Sequence, residues 1–449
     1  MRASCAKVYV SAGKQIPAMK EDTVARDIFC GGVWVVLGIG SLLCTRCVFA
    51  VHAGTAGPNI IFILADDVGF EALGCYGGQT YRTPNLDALA ASGVRFTYCF
   101  ASPVCSPSRA EFLTGQYPFR TGFTDLVGRG GAPRSLDPRR HPTIAGLLKR
   151  AGYATAIAGK WHLTVEPMPQ DQFPDAVPQP DIAACGFDVQ YCFTGPHIQY
   201  GAPVPGEYHP DLYQEWVLNY LTNRKDRDQP FFLYYATGLP HRPWDPTPLN
   251  PNAVPGDRGN FPVMLEYLDR QVGEVLGRLE ELGMRDGTLV LFSGDNGTDA
   301  GLPAETLNGR LVRPGKGTMR DTGSWVPLIA SWPAAIERGG VCNDLIDFSD
   351  FLPTLLEVAG APAYAGRIDG VSFADQLLGR AASTPRRWVY VQYQDKQFVR
   401  DKQFKLMSNG ALYDVSGSPF AEVPIPPVMQ DAAARAARRE LSSVLNALN

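Results

Sequence analysis

The sequence has little histidine, no marked excess of either charge and no internal repeat. Only six of its 449 residues are histidine, charged residues make up 19%, and the formal net charge is −4. A nucleic-acid-binding protein normally carries a basic domain or stripe, whereas the basic clusters at residues 134–140 and 435–439 are short enough to be solvated faces. The composition therefore predicts an ordinary globular protein without a nucleic-acid partner. Its length allows one large α/β domain with an appendage, or two domains.

One long uncharged run, residues 28–45, is the most apolar stretch near the start of the chain. Arg26 precedes it and small residues follow it at Ala50 and Ala53, which is the pattern of a secretory signal peptide cleaved after one of the alanines. A membrane anchor is the alternative, because the run is close to the shortest that spans a bilayer. We expect residues 1–53 to be a signal peptide and N-terminal segment. The mature protein would then be secreted or periplasmic, without a stable membrane span.

Short apolar runs alternate with helical segments along most of the chain. Asn59–Ala65 is a continuous apolar run, as expected of a strand buried on both faces of a parallel sheet. Further strands are predicted at residues 154–158, 231–236 and 288–293, and helices at 85–92, 143–151, 211–223 and 263–282. This alternation predicts an α/β fold in which helices cover both faces of a mostly parallel sheet.

Polar side chains follow each of the four predicted strands. In sheets of this kind ligands bind outside the carboxyl ends of the strands. The pattern therefore predicts one polar site built from segments that are far apart in sequence. Its members are Asp66 and Asp67, Lys160 and His162, His241, and Asp295 and Asn296.

The pattern changes near residue 386. Short strands at 388–393, 397–400, 404–407 and 411–415 predict a small antiparallel sheet, which a helix over 429–448 completes. We expect a catalytic domain over residues 58–380 and a C-terminal α+β subdomain over 386–449.

Cys105 opens the segment C-S-P-S-R-A-E-F-L-T-G, which is typical of a tight entry into a helix. Ser106 can cap this helix, Pro107 suits its first turn, and Gly115 permits a left-handed exit. Cys105 is then expected just outside the N-terminus, where free N–H groups and the helix dipole favour a thiolate, with Arg109 within reach. An isolated cysteine in such a position would more often be buried and inert.

The whole segment resembles the signature of the type I, formylglycine-dependent sulfatases of the alkaline phosphatase superfamily, C-x-P-S-R followed by A-x-x-x-T-G. The resemblance implies an alkaline-phosphatase-like α/β/α sandwich and an enzyme that hydrolyses sulfate esters. It also implies that a formylglycine-generating enzyme oxidises Cys105 to formylglycine. One hydroxyl of the aldehyde hydrate attacks sulfur and the other later expels sulfate, which a plain serine could not do.

Asp66, Asp67, Asp295 and Asn296 offer only oxygen ligands. Such a set suits calcium or magnesium and argues against zinc held by thiolate or imidazole. Taken singly, an Asp-Asp pair after a strand or an Asp-Asn-Gly sequence is more often a turn. The resemblance implies that these four residues and residue 105 together hold calcium.

The resemblance also implies roles for the cationic residues of the predicted site. Lys160 and His162 match a G-K-W-H stretch that contacts the sulfate and the hydrate, and Arg109 supports the hydrate. His241, in P-H-x-P-W, matches a histidine that faces the leaving oxygen. Lys316, in G-K-G-T, matches a second lysine that contacts sulfate. Three or four cations around one dianionic transition state is the electrostatic arrangement that this chemistry requires.

The chain departs from the family pattern at residues 321–327. Where the family commonly has E-G-G-x-R-V-P, this sequence has D-T-G-S-W-V-P, so Asp321 replaces a longer acid and Trp325 an arginine. The departure affects residues that support the site and part of the pocket wall, and not the residues expected to contact the metal ion or the sulfate.

Six cysteines follow the predicted signal peptide. Conversion of Cys105 would leave five thiols, an odd number, so that at least one stays free. Cys185 and Cys192 are the first pair to test for a disulfide.

Three other functions remain open at this stage. The substrate could be a small aryl sulfate, although export and a long polar segment over residues 165–210 favour a sulfated carbohydrate by analogy. A phosphatase or phosphodiesterase of the same superfamily would normally use Ser or Thr with zinc held by several His and Asp, a set that this chain lacks. Without conversion of Cys105, the protein would be a non-catalytic sulfated-glycan-binding protein.

Overall fold

A computed structural model describes residues 57–165, 180–193, 208–380 and 386–448. The predicted signal peptide lies outside the described residues, as does much of the polar segment 165–210. Gly54–Asn449 forms one compact unit, and the proposed division between residues 380 and 386 stays a prediction. Within the described part of the chain, no helix is long and apolar enough to cross a membrane.

An eight-stranded sheet forms the centre of the fold, in the order β10-β2-β9-β6-β1-β5-β3-β4. All neighbouring strands run parallel except β9, which is antiparallel to both β2 and β6. The mostly parallel sheet expected from the sequence is therefore confirmed. The first ten strands are β1 (Asn59–Ala65), β2 (Val94–Phe100), β3 (Ala154–Lys160), β4 (Val189–Phe193), β5 (Phe231–Ala236), β6 (Thr288–Gly294), the separate hairpin β7 (Glu305–Leu307) and β8 (Arg310–Val312), β9 (Trp325–Ser331) and β10 (Gly340–Asp347).

Helices pack against both faces of this sheet. In β1, Ile61 and Ile63 face the layer containing α1, α6 and α7, whereas Ile60, Phe62 and Leu64 face the layer of α2, α4 and α9. This alternation explains why a strand buried on both sides is an unbroken apolar run. The helices are α1 (Pro84–Ala91), α2 (Cys105–Thr114), α3 (Pro118–Thr121), α4 (Ile144–Arg150), α5 (Pro180–Ala184), α6 (His209–Arg224), α7 (Phe261–Glu281), α8 (Asp321–Ser324), α9 (Phe351–Val358), α10 (Ala374–Leu377) and α11 (Ala432–Leu448).

A five-stranded antiparallel sheet follows, as the sequence predicts. Its strands lie in chain order and α11 packs on them through Leu441 and Leu445. The predicted start of α11 at residue 429 is wrong, because Asp431 caps the helix by accepting a hydrogen bond from the backbone of Ala434, and the helix begins at Ala432. The strands are β11 (Val389–Tyr393), β12 (Lys396–Arg400), β13 (Phe404–Met407), β14 (Leu412–Asp414) and β15 (Val423–Pro424), the last of which the sequence did not predict.

The six described cysteines are all free thiols. Cys185 is buried in the core beneath α4, and no disulfide joins it to Cys192 in the described part of the chain. The pairing considered from the sequence is therefore not formed.

Candidate active site

Four adjacent parallel strands, β6, β1, β5 and β3, carry the polar residues expected from the sequence to one edge of the sheet. Asp66 and Asp67 follow β1, Lys160 is the last residue of β3, and Asp295 follows β6. A ligand atom from each of Asp66, Asp67, Cys105 and His241 lies within 4.8 Å of the others.

Helix α2 delivers Cys105 to this edge as its first residue. Two details differ from the sequence prediction. Val104, not Ser106, occupies the N-cap, and Ser106 instead donates a hydrogen bond to the carbonyl of His162 and accepts one from the backbone of Val127. Cys105 lies within the first turn rather than before it. Gly115 ends the helix at φ 65°, the left-handed exit that was predicted.

Three acid–base pairs neutralise the buried charges of the site. Lys160 Nζ lies 2.6 Å from Asp66 Oδ2, and Lys316 Nζ lies 2.6 Å from Asp67 Oδ2. Arg109 holds Asp295 Oδ2 through two nitrogens, the nearer at 2.7 Å, and also donates to the carbonyl of Lys160. Burial opposes ionisation of Asp66, but Lys160 and its other cationic neighbours hold the pKa of that carboxyl well below its usual value.

The Cys105 thiol is protonated in this setting, contrary to the expectation of a thiolate. Its Sγ lies 3.3 Å from Asp66 Oδ1 and 3.5 Å from Lys160 Nζ. Burial, together with the charges of Asp295 and Asp66, raises the pKa of the thiol well above its usual value. Burial and the carboxylates therefore outweigh the helix dipole and the neighbouring lysines.

Asn296 fits a role in binding a hard cation. Its side-chain nitrogen donates to Asp67 Oδ1 at 2.8 Å, while its Oδ1 is buried and has no hydrogen-bond partner among the described residues. A buried acceptor of this kind is costly unless something satisfies it. Asp295 is less available, because Arg109 occupies one oxygen and the backbone N–H of Asp67 donates to the other.

His241 lies beside the same carboxylates. Its Nδ1 contacts the carbonyl of Arg242, and its Nε2 is 3.8 Å from Asp67 Oδ2. Burial and the neighbouring Lys316 lower the pKa of His241 to about 4. His162 is buried, with no hydrogen-bond partner for either ring nitrogen within the described chain, and burial and Lys160 lower its pKa well below the usual value.

A cavity of about 530 Å³ opens above Cys105. We call it the catalytic cavity. Cys105, His162, His241 and Lys316 line it. Its wall also contains residues that the sequence did not single out. These are Leu126, Arg129, Arg242, Asp299 and Tyr393, of which Tyr393 comes from the antiparallel sheet.

The departure at Asp321 has a structural explanation. Asp321 is buried at the start of α8 and pairs with Arg400 and Lys405 of the antiparallel sheet. Trp325 stacks on Phe70 with ring centroids 4.3 Å apart. The acid that supports the site in the family pattern here joins two parts of the fold, which the sequence could not reveal because Arg400 and Lys405 belong to no motif.

Taken together, this sheet and the charged groups at its carboxyl edge define a hydrolase of the alkaline phosphatase superfamily that acts on anionic esters. The chain belongs to the sulfatase family: the family model described as Sulfatase matches residues 58–361, and that of the N-sulphoglucosamine sulphohydrolase C-terminal region matches residues 315–416. It is a sulfuric ester hydrolase.

Individual relatives agree with this assignment. The chain is 35% identical to human arylsulfatase A over 385 residues, which covers 77% of this chain and 74% of that protein. It is 33% identical to N-acetylgalactosamine-6-sulfatase of the dog (Canis lupus familiaris) over 372 residues, covering 74% and 68% of the two chains. The crystal structure of Ps i-CgsB superimposes with a TM-score of 0.71 at 25% identity and covers 86% of this chain and 92% of its own. The predicted fold class and the predicted sulfatase family are confirmed.

Proposed function

We propose that this sulfatase removes sulfate from sulfated carbohydrates by means of a formylglycine at position 105 and a calcium ion, with magnesium as a substitute. The position of Cys105 carries the proposal. It lies at the inner end of the catalytic cavity, with Asp66 and Lys160 at 3.3 and 3.5 Å from its sulfur. A nucleophile at this position would face a substrate in the cavity, with the ammonium group of Lys160 and the carboxylate of Asp66 next to it.

Asp66, Asp67, Asp295 and Asn296 would hold the ion together with residue 105. Asp295 would bind it through a lone pair that the hydrogen bonds from Arg109 and from the backbone of Asp67 leave over. Calcium bound there would orient the sulfate group and neutralise part of its charge. The donors are oxygens, and the unsatisfied Oδ1 of Asn296 gives the site an acceptor that a cation would satisfy.

The cationic side chains stabilise charge that develops on the sulfate oxygens. Lys160 and Lys316 each pair with one of the two adjacent carboxylates. Lys160 Nζ lies 3.5 Å from the sulfur of Cys105, and Lys316 lines the catalytic cavity together with Cys105. Arg109 is fully buried and ties Asp295 to the end of β3, so it positions the other groups. Preorganised donors of this kind are worth most in a water-excluded site.

His241 is proposed to protonate the departing oxygen. The Nδ1 contact with the Arg242 carbonyl fixes the ring and leaves Nε2 beside the catalytic cavity. The imidazole is neutral at pH 7 in the described state, because its pKa is about 4. The negative charge of a sulfate ester beside the ring would favour its protonated form. His162, which also lines the catalytic cavity, would contact the hydrate.

Carbohydrate substrates are favoured by the wall of the catalytic cavity. Arg129, Arg242, Asp299 and Tyr393 provide hydrogen-bonding groups in this wall, which suit the hydroxyl and acidic groups of a sugar better than an aryl ring. The relative named N-acetylgalactosamine-6-sulfatase supports this substrate class, whereas the relative named arylsulfatase A supports small aryl sulfates as the second candidate.

The test combines mass spectrometry with a substrate screen. We expect protein made together with a formylglycine-generating enzyme to carry an aldehyde at residue 105 and to desulfate at least one defined sulfated saccharide. Cys105→Ala is the control and should be inactive while still folding. Full activity of protein that carries only the thiol would overturn the formylglycine proposal. Turnover of aryl sulfates alone would select the second candidate, and binding without turnover by the converted protein would indicate a sulfated-glycan-binding protein.

We further propose that the protein is exported to the periplasm or the exterior. The support is the uncharged run over residues 28–45 followed by Ala50 and Ala53. Exported protein is expected to begin at Val51 or Gly54 when its N-terminus is sequenced. A full-length chain retained in the cytoplasm would contradict the proposal.

A further inference from the structure

A second cavity, of about 650 Å³, lies between the segment after β8 and the antiparallel sheet. We call it the C-terminal cavity. It shares no lining residue with the catalytic cavity, but Lys316 and Gly317 line the catalytic cavity while Met319 and Arg320 line this one. Three residues of chain span at most about 11 Å. The two cavities are therefore close neighbours along one loop.

The mouth of the C-terminal cavity is basic. Arg313 and Arg320 are exposed, and neither side chain has an ion pair or a side-chain hydrogen bond among the described residues. Arg310 stands beside them, with its guanidinium 3.8 Å from the centre of the Phe420 ring. No acidic residue occurs between Arg310 and Arg320 in the sequence.

The other charges at and behind the cavity wall, those of Lys405, Glu422, Asp321 and Arg400, neutralise each other. Lys405 is buried and pairs with Asp321 and Glu422, and Arg400 pairs with the same Asp321. Two cations and two carboxylates thus leave no net charge, so the exposed arginines determine the charge that a ligand meets. Unpaired exposed cations on a concave wall attract anions.

The remaining wall suits a sugar ring. Tyr413 and Phe420 line the cavity with Met319 and Met407, and aromatic faces pack on the apolar faces of saccharides. Thr322 also lines it, is only 4% exposed, and its hydroxyl has no hydrogen-bond partner among the described residues. The described chain thus leaves a polar group of this wall without a hydrogen bond.

We propose that the C-terminal cavity binds a second acidic sugar of the same substrate chain, away from the sulfate that is removed. Arg313 and Arg320 would bind its sulfate or carboxylate group, and Phe420 and Tyr413 would contact its ring. The proposal rests on the sulfatase function and narrows it, because the preferred substrate is then an oligosaccharide with at least two anionic groups rather than a monosaccharide sulfate.

The test compares two substrates of one converted enzyme: a sulfated oligosaccharide with several anionic groups and nitrophenyl sulfate. We expect the Arg313→Gln/Arg320→Gln double variant to raise KM for the oligosaccharide about fivefold, which is the effect of two exposed charge contacts. Its kcat for the oligosaccharide and both constants for nitrophenyl sulfate should not change. Arg82→Gln/Arg227→Gln removes the same charge from exposed positions elsewhere and should leave every constant unchanged.

A second measurement uses binding without catalysis. Unconverted protein should bind the oligosaccharide, as measured by calorimetry. This binding should weaken as the salt concentration rises. The Arg313/Arg320 double variant should have a lower affinity, and the control variant should not. Equal KM and equal affinity in the double variant and the control would overturn the proposal. So would a loss of nitrophenyl sulfate turnover in the double variant, since it would place these arginines in the catalytic machinery. Binding that depends on these arginines, together with converted protein that is inactive on every sulfate ester, would uphold the cavity and overturn the sulfatase mechanism.

Discussion

At the residue scale, the active site contains three buried ion pairs, and each depends on both of its members. Asp66 pairs with Lys160, Asp67 with Lys316, and Asp295 with Arg109. Removing one member of a buried pair leaves the other charge unsatisfied, which typically costs ~3–5 kcal/mol. Alanine substitutions at these six positions would therefore confuse catalysis with folding. Residues of the site that lie outside these pairs, such as His241 and Asn296, are better probes of role.

The role of His241 can be tested by changing the leaving group. A sugar alkoxide needs a proton much more than a phenolate does, and a positioned acid contributes roughly 10²–10⁴-fold. We expect His241→Ala to slow a sulfated sugar far more than nitrophenyl sulfate, measured as kcat/KM. Equal losses on both substrates would make His241 a binding or structural residue, and Lys316 would then become the candidate acid.

The metal can be tested by removal and return. A chelator should abolish activity, and calcium or magnesium, but not zinc, should restore it because the donors are oxygens. Asn296→Ala should raise the calcium concentration needed for half-reactivation about tenfold or more, the equivalent of losing roughly 1.4 kcal/mol. Asn223→Ala, at an exposed position near the end of α6, is the matched control. Restoration by trace zinc, or equal calcium requirements for the two variants, would count against the ligand set.

At the scale of secondary-structure elements, the sequence predicts best where burial leaves a simple pattern. β1, β5 and β6 are continuous apolar runs that end in polar residues, and the structure has them within one residue of the predicted ends. β2 and β10 were missed because polar residues interrupt them, as Arg95 and Asn343 show. The antiparallel direction of β9 depends on pairing with β2 and β6, which no local pattern encodes. The capping role predicted for Ser106 is wrong, because its hydroxyl forms hydrogen bonds with the backbone of His162 and of Val127 instead.

The ion cluster around Asp321 is expected to hold the antiparallel sheet to the end of α8. Asp321→Ala leaves Arg400 and Lys405 buried without their shared partner, so the free energy of unfolding should fall by about 3–5 kcal/mol. Glu440→Ala is the control, because it breaks the exposed Arg387–Glu440 pair, which should cost about 0–1 kcal/mol. Urea denaturation followed by fluorescence measures both. Similar small losses would show that the cluster contributes little to docking.

At the scale of the whole molecule, the fold buries several carboxyl groups that form no ion pair among the described residues, and burial favours their protonated form. Burial raises the pKa of Glu71 to about 7, although its usual value is 4.5, and burial and Glu71 raise the pKa of Glu305 well above normal. Burial and Asp347 do the same for Glu111 inside α2. The folded state thus holds protons that the unfolded chain releases, and its stability depends on acidity.

Glu71 gives this dependence a defined direction. The unfolded chain loses the proton near pH 4.5 and the folded protein near pH 7, so the folded state binds more protons between these values and its stability falls as the pH rises. We expect Glu71→Gln to be more stable than the unsubstituted protein at pH 8, on the order of 1–3 kcal/mol, and to match it at pH 4.5. Denaturation at both pH values measures the effect. Glu337→Gln, at an exposed position, should not alter the pH dependence, and identical profiles for all three proteins would refute the assignment.

The burial of Cys105 bears on the order in which its oxidation and the folding of the chain take place. Its side chain is 1% exposed, and the whole of α2 is buried beside β1. A small ester can enter the catalytic cavity, but a second enzyme cannot close its own active site around a thiol held at that depth. If residue 105 becomes formylglycine as proposed, we expect its oxidation to precede the completion of folding, and a chain that folds first would keep an unreacted thiol. The active fraction of a preparation would then depend on the rate of Cys105 oxidation relative to the rate of folding. Slowing the folding of the new chain should increase that fraction.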